Sequence, residues 1–283
     1  MGTARWIAAS RARESARGDR LFEDPWAAEL AGSQGFDMLA AREVGGQENC
    51  FLPVRTRFFD DVLASACKPA GQVVLLGAGL DTRAWRLPLP AHTIVYEVDY
   101  PEVLADKLEV LCEADLPVKR RAVPADLRTD WAQELLATGF DPSRSTVWIA
   151  EGVLFYLTDG QVDALLAAAA TLSAGDAVFG ADTFGTGLLR LPGMRALVQH
   201  RRQGSAALPY CTDQPSHLLT RTGWQPEPVL DLGASQANFG RLHRLPSQWD
   251  GGTDPTTRTY LLVGSRHRDP GQTKVEPGQL KVR

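Results

Sequence analysis

The sequence predicts an α/β protein built on a doubly wound, mostly parallel sheet. Three observations carry that prediction. From residue 72 onward, short apolar runs alternate with longer amphipathic segments, the order that a parallel sheet covered by helices on both faces requires. The first run, Gln72 to Leu76, ends in Gly77-Ala78-Gly79, where missing side chains let the backbone turn sharply and let a ligand come close. Acids stand at the ends of the next runs, at Glu97 and Asp99, at Asp126 and at Glu151. In a doubly wound sheet those ends share one edge.

The elements follow in order. Residues 3–40 read as helical, with Trp6, Ile7, Leu21, Phe22, Trp26 and Leu30 as apolar anchors and Asp24-Pro25 marking a helix start. A helix over 52–68 carries Val54, Phe58, Phe59, Val62 and Leu63 on a helical period. Both precede the glycine turn and are expected to pack over the ligand-binding edge, as a helical cap spanning 1–70. Strands are predicted at 72–76, 93–99, 119–125, 145–150, 176–182 and 258–265, and helices at 101–114, 130–138, 159–173 and 215–222. Gly175 and Gly223 stand past two of these helices, where a C-terminal cap favours glycine. A late run at 226–231 is expected to pair with 258–265 in hairpin fashion. Residues 184–214, rich in Gly and Pro around a short helix with Arg195 and His200, read as an insert after the fifth strand, a lid over the substrate edge. The polar segment 268–283 has no apolar period and reads as a disordered tail beyond a single domain of 1–267.

Composition excludes several classes. A net charge of −4 gives no basic footprint for nucleic acid. No run approaches the roughly eighteen apolar residues of a membrane span. Cys50, Cys67, Cys112 and Cys211 make no C-x-x-C pair and no zinc spacing with histidine, so they read as reduced thiols of a cytoplasmic protein without a metal site. The opening residues lack the apolar core of a secretory signal.

The glycine turn reads Gly77-Ala-Gly-Leu-Asp-Thr82, not G-x-G-x-x-G. The third small residue of a pyrophosphate-binding turn is absent, and Asp81 would repel a phosphate. A carboxylate at Asp99 can accept both hydroxyls of a ribose. S-adenosyl-L-methionine, a nucleoside cofactor without phosphate, suits these residues. A nicotinamide or flavin cofactor, and a purely structural turn, are the alternatives. Buried acids are costly unless paired, so Asp99, Asp126 and Glu151 together point to a ligand rich in donors. Asp126 taken alone fits a cap for the helix at 130 equally well.

Four further stretches carry a resemblance: Val54-Arg-Thr-Arg-Phe-Phe-Asp-Asp61, Leu76-Gly-Ala-Gly-Leu-Asp-Thr-Arg83, Tyr96-Glu-Val-Asp-Tyr-Pro101 and Ala150-Glu-Gly-Val-Leu-Phe-Tyr-Leu157. With Ser15-Ala-Arg-Gly-Asp-Arg-Leu-Phe-Glu-Asp-Pro25, they make residues 3–265 resemble the leucine carboxyl methyltransferase family, in particular its bacterial branch, which includes tailoring enzymes of polyketide pathways. The resemblance implies a Rossmann-like class I methyltransferase sheet with S-adenosyl-L-methionine as cofactor. It implies that Arg55 and Arg13 reach the cofactor's carboxylate, that Gly77, within the turn Gly77-Ala78-Gly79, contacts the methionine end, and that Asp99 holds the ribose. Asp126 and Leu127 would bracket the adenine, and Glu151 would meet the ammonium. The alternative for Arg55 is a salt bridge to Asp60 or Asp61 on its own helix. The insert at 184–214 departs from the eukaryotic branch, whose substrate is a protein C-terminus, so the acceptor does not carry over.

The expected reaction is O-methylation of a small-molecule acceptor of natural-product, for instance polyketide, type, forming a methyl ester on a carboxylate. A phenolic or alcoholic hydroxyl is the alternative acceptor. A carboxylate is already ionised at neutral pH and needs no general base, whereas a hydroxyl gains from one. Tyr156, His200, Tyr210 and Arg195 are the candidates for orienting the acceptor, with simple packing as the alternative for Tyr156 and a surface position for His200. A nicotinamide oxidoreductase would want a Tyr-x-x-x-Lys pair, which Tyr96, Tyr100 and Tyr156 do not make. A catalytically silent cofactor-binding protein would not need the whole set of cofactor positions. The expected partner is a small molecule, with neither nucleic acid nor membrane, and the expected assembly is a monomer or a homodimer.

Overall fold

Strand periodicity and burial together place the sheet in the middle of the molecule. The structure, a computed structural model, describes residues 2–43, 50–67, 71–90, 92–195, 198–199, 208–234, 237–241, 252 and 254–267. In β1 (Gln72–Leu76), Val73 and Leu75 face one apolar cluster while Val74 and Leu76 face another. β2 (Ile94–Asp99) and β4 (Thr146–Ala150) divide their side chains in the same way. A strand buried on both faces reads as an unbroken apolar run, which is how the sequence presents it.

With β3 (Lys119–Pro124), β5 (Ala177–Phe184), β6 (Gln225–Pro226), β7 (Leu230–Asp231) and β8 (Thr259–Arg266), the sheet has eight strands in the order β3-β2-β1-β4-β5-β8-β6, with β7 also on β8. β1 to β5 are parallel and β8 runs antiparallel to β5. The predicted strand at 226–231 is interrupted. Pro226 pairs with Gly264 and Leu230 with Leu261, so four steps on one strand oppose three on the other. Pro226 and Pro228 lack the N–H that a ladder needs, which confines such a strand to the sheet edge.

Helices cover both faces. α6 (Trp131–Ala137), α7 (Asp159–Thr171) and α8 (Pro215–Arg221) pack Leu135, Leu165, Leu166 and Leu218 on one side. A capping box at Thr158 and Gln161 starts α7. On the other side lie α1 (Gly2–Ser15), α2 (Ala27–Ala40), α3 (Phe51–Ala66), the single turn α4 (Arg83–Arg86) and α5 (Pro101–Leu111). Three expectations change here. The helical reading of 3–40 is interrupted between Ser15 and Ala27; Asp24 accepts from Arg11 and Thr82 through Oδ2 and from the Trp26 N–H through Oδ1 at 3.3 Å, so Asp24-Pro25 leads into α2 as the sequence predicts. α3 lies against the sheet face through Phe59 and Leu63, so it is part of the core, and only its start reaches the ligand edge. Gly175 is not a cap: α7 ends at Thr171, and a Cβ on Gly175 would come within 2.9 Å of the Ser143 carbonyl oxygen. Gly223, at φ +92°, is left-handed just past α8 as expected.

The insert begins with two short 3-10 turns, Thr186–Arg190 and Pro192–Met194; Leu188, Met194 and Leu191 between the turns form a small apolar cluster. The tail at 268–283 lies outside the described residues. No described helix is long and apolar enough to cross a membrane.

Phe179 is fully buried, with its ring 5.1 Å from that of Trp224. Phe179→Ala is expected to lower stability by about 3–5 kcal/mol, measured as a shift in the chemical denaturation midpoint with unchanged slope.

Candidate active site

The C-terminal ends of β1, β2 and β4 open onto a cavity of about 510 Å³, within the range of pockets for small ligands and cofactors. Its floor is the glycine turn. Gly77 sits at φ +66° and Gly79 at φ +49°, a region open to glycine and strained for other residues. A Cβ on Gly77 would also fall 2.6 Å from Val153. The N–H groups of Gly77 and Ala78 both donate to the Val98 carbonyl, at 2.8 and 3.1 Å, so the turn is hung on the end of β2.

Asp99 closes that end. Its Oδ2 accepts from the Gly79 N–H at 2.7 Å and its Oδ1 from the Tyr100 N–H at 2.7 Å. Burial pushes the Asp99 carboxyl up from its ordinary value, and the two N–H groups offset part of that. Glu97, two residues earlier, is not on the wall. It is fully buried with Lys107 at 2.8 Å and Arg120 at 2.6 Å. Lys107 also donates to the Asp81 carbonyl at 3.1 Å, tying the turn to α5.

The opposite wall is a charge cluster. Arg55, from α3, donates through Nε to Glu151 Oε1 and through Nη1 to Asp182 Oδ2, each at 3.1 Å. Thr56 Oγ1 also donates to Glu151 Oε1, at 3.3 Å. Arg83 places Nη2 2.7 Å from Glu151 Oε2 and Nε 2.7 Å from Asp60 Oδ1, and bonds closely to Asp81. Arg86 clasps Asp60 with both terminal nitrogens, at 2.6 and 2.7 Å. Burial alone would lower the Arg55 guanidinium and raise the Glu151 carboxyl. The opposite charges outweigh it, holding Arg55 above and Glu151 below their ordinary values.

The profile of the leucine carboxyl methyltransferase family matches residues 4–170. A protein of Mycolicibacterium gilvum, named by inference as an S-adenosyl-L-methionine-dependent methyltransferase, is 38% identical over 286 residues, spanning 89% of this chain and 90% of that protein. A protein of Parafrankia sp. (strain EAN1pec), named in the same way, is 46% identical over 180 residues, or 60% of this chain and 57% of its own length. The chain belongs to the leucine carboxyl methyltransferase family. A solved methyltransferase-fold protein from Thermobifida fusca superposes with a TM-score of 0.57 at 18% identity, covering 93% of this chain and 94% of that one. That likeness shows the shared fold.

The structure brings Arg55, Gly77, Ala78, Gly79, Asp99, Asp126, Leu127 and Glu151 around one cavity, with Tyr156 at 47% exposure beside them. Arg55 pairs with neither Asp60 nor Asp61. Those residues stand five and six positions along the helix, off its face, and Asp61 takes Arg57 instead, at 2.9 Å. Asp126 does not cap α6; Arg128 grips both its oxygens. Arg13 is off the cavity wall and lies 2.6 Å from Glu43. Arg11 lines the wall in its place, donating to Asp24 at 2.8 Å and to the Leu80 carbonyl at 2.6 Å. Tyr210 is buried in the apolar cluster under α7 and α8, away from the cavity. Arg195 is exposed and does not line it. His200 lies outside the described residues.

Arg11, Arg83, Arg86 and Asp182 went unread as site residues in the sequence. Asp182 left one signal, a carboxylate inside the otherwise apolar run of β5.

Because the Glu151 carboxyl is held below its ordinary value, near 4.3, it supplies stability that is present above that pH and lost as pH falls through the lowered value. Stability measured against pH is therefore expected to drop on the acid side of 4.3, and Glu151→Gln is expected to remove that share of the slope.

Proposed function

We propose that this protein transfers a methyl group from S-adenosyl-L-methionine to a carboxylate oxygen of a small-molecule acceptor, forming a methyl ester. Its family makes it a methyltransferase, and the relatives from M. gilvum and Parafrankia are named for the same donor. The make-up of the cavity wall carries the reading. It holds a glycine turn, a carboxylate beside that turn and a guanidinium–carboxylate pair across from it, and its described residues include no His, Lys or Cys.

That donor set fits the cofactor. Asp99 spends two acceptor positions on backbone N–H groups and a carboxylate offers about four, which leaves capacity for two ribose hydroxyls. Arg55 complements a carboxylate and Glu151 an ammonium, the two charges of an amino-acid tail. Asp126 and Leu127 stand for the adenine end. Gly77 and Gly79 keep side chains out of the space between.

When bound, the cofactor's sulfonium supplies an electrophilic methyl group open to in-line displacement. The chain's own task is to bind, align and keep water out. An acceptor carboxylate is ionised near neutral pH, so nothing on the wall has to take a proton from it. Tyr156 borders the cavity. Its neighbour Phe155 stacks on Phe184 with ring centres 5.1 Å apart, linking it to the start of the insert. We assign acceptor orientation to Tyr156 and to that face, with acceptors of natural-product type.

Calorimetry is expected to show S-adenosyl-L-methionine binding and no NAD binding; the reverse would end the donor reading. Mass spectrometry before and after mild base treatment reads the acceptor. A methyl ester hydrolyses, whereas survival of the added methyl group would identify a hydroxyl acceptor. Because the Asp99 carboxyl is raised, cofactor affinity is expected to fall with decreasing pH at a value above the ordinary aspartate figure of about 3.9. Asp99→Asn should weaken binding about tenfold or more at neutral pH and flatten that acid limb.

A further inference from the structure

Asp182 stands in the last half of β5, wholly buried, one residue past the point where Ala181 pairs with Ala150, the residue before Glu151. It engages two groups at once. Oδ2 accepts from Arg55 Nη1 at 3.1 Å, and Oδ1 accepts from the Gly152 N–H at 2.6 Å. Burial pushes its carboxyl up, and Arg55 and the Gly152 N–H pull it only part of the way back. With Arg55 in place, an apolar residue here would leave a buried guanidinium short of a partner, but the buried pair as a whole is a weak stabiliser against well-packed hydrophobic residues at both positions. A second carboxylate beside Glu151, with one guanidinium held between them, therefore calls for a functional explanation.

The geometry supplies one. Arg55 spends Nε on Glu151 and Nη1 on Asp182. Its Nη2 has no hydrogen-bond partner among the described residues. That corner faces Gly152, where an added Cβ would lie 3.0 Å from Nη2. Gly152 is itself left-handed, at φ +69°. The turn after β4 is thus kept bare next to the one uncommitted nitrogen of Arg55, and Asp182 fixes both the turn and the guanidinium.

We propose that Asp182 is a positioning residue for methyl transfer. It locks Arg55 so that the Nη2 corner is presented to the carboxylate of the methyl donor's amino-acid tail, and it holds the Glu151-Gly152 turn in register with it. The inference rests on the donor reading above. Asp182 touches no reacting atom and acts through Arg55 and the Gly152 amide.

The test uses the full chain, with calorimetry and steady-state kinetics on the wild type, Asp182→Asn, Arg55→Lys and the double variant. Thermal melting confirms folding, and Asp182→Ser, which keeps an acceptor for the Gly152 N–H, is the second variant should Asp182→Asn fail to fold. The expected result is a rise of about tenfold or more in both Kd and KM for S-adenosyl-L-methionine, with kcat at saturating donor changed by less than about threefold. Affinity for methylthioadenosine, which lacks the amino-acid tail, is expected to be the same in Asp182→Asn and wild type. In the Arg55→Lys background the Asp182 substitution should add less than about twofold, because residues acting as one unit are not additive. Unchanged KM in Asp182→Asn, an equal loss of methylthioadenosine affinity, or the full penalty repeated in the Arg55→Lys background would each overturn the proposal. A wild type that does not bind S-adenosyl-L-methionine would instead sink the donor reading.

Discussion

Arg55, Arg83 and Arg86 are packed with Asp60, Asp81, Glu151 and Asp182 at the C-terminal edge of the sheet, and each tolerates burial only because the others are there. Desolvating a single guanidinium or carboxylate costs several kcal/mol. Shared between opposite charges, with an oxygen or nitrogen for nearly every donor and acceptor, the set becomes affordable. The cluster draws on four elements: α3, the glycine turn with α4, the tip of β4 and the last half of β5. Its geometry therefore exists only when all of them are docked, and the cavity wall is a by-product of folding.

A second buried set stands behind the turn. Lys107, with no exposed surface, reaches from α5 to Glu97 in β2 and to the Asp81 carbonyl, and Arg120 completes it while stacking 5.3 Å over the Trp85 ring. The glycine turn is thus held from below by a cation and from the side by Asp99. This double support explains how a turn of small residues can be a fixed surface. Flexibility in Gly77 and Gly79 is needed to reach their backbone angles, and the neighbouring charges remove it once the angles are reached.

The N-terminal segment joins the same construction through a buried carboxylate. Asp24 takes Arg11 at 2.8 Å and Thr82 at 2.7 Å, and Ser15 donates to the Arg11 carbonyl while accepting from the Asp24 N–H. The stretch from Ser15 to Pro25 is therefore a clasp that brings α1 over the turn, with Ala4, Ile7 and Arg11 on the cavity wall. Arg241, from the β7–β8 connection, reaches Glu14 at 2.7 Å and adds a tie from the far side.

The sequence by itself determined whatever depends on near neighbours: the apolar strands, the glycine turn, the acid that ends β2 and the helices between. Strand alternation and left-handed glycines are local properties, so Gly77, Gly79, Asp99 and Glu151 could be placed on one edge before any contact was known. Tertiary structure alone decided the pairing of charges. An arginine is long enough to choose among several acids, and helix phase determines which it meets. Arg11 and Arg13 are two residues apart, about 200° around the helix, so one lines the cavity and the other turns to Glu43. Arg55 passes over Asp60 and Asp61 for Glu151 and Asp182, which lie far along the chain and arrive beside it only because β4 and β5 are adjacent in the sheet.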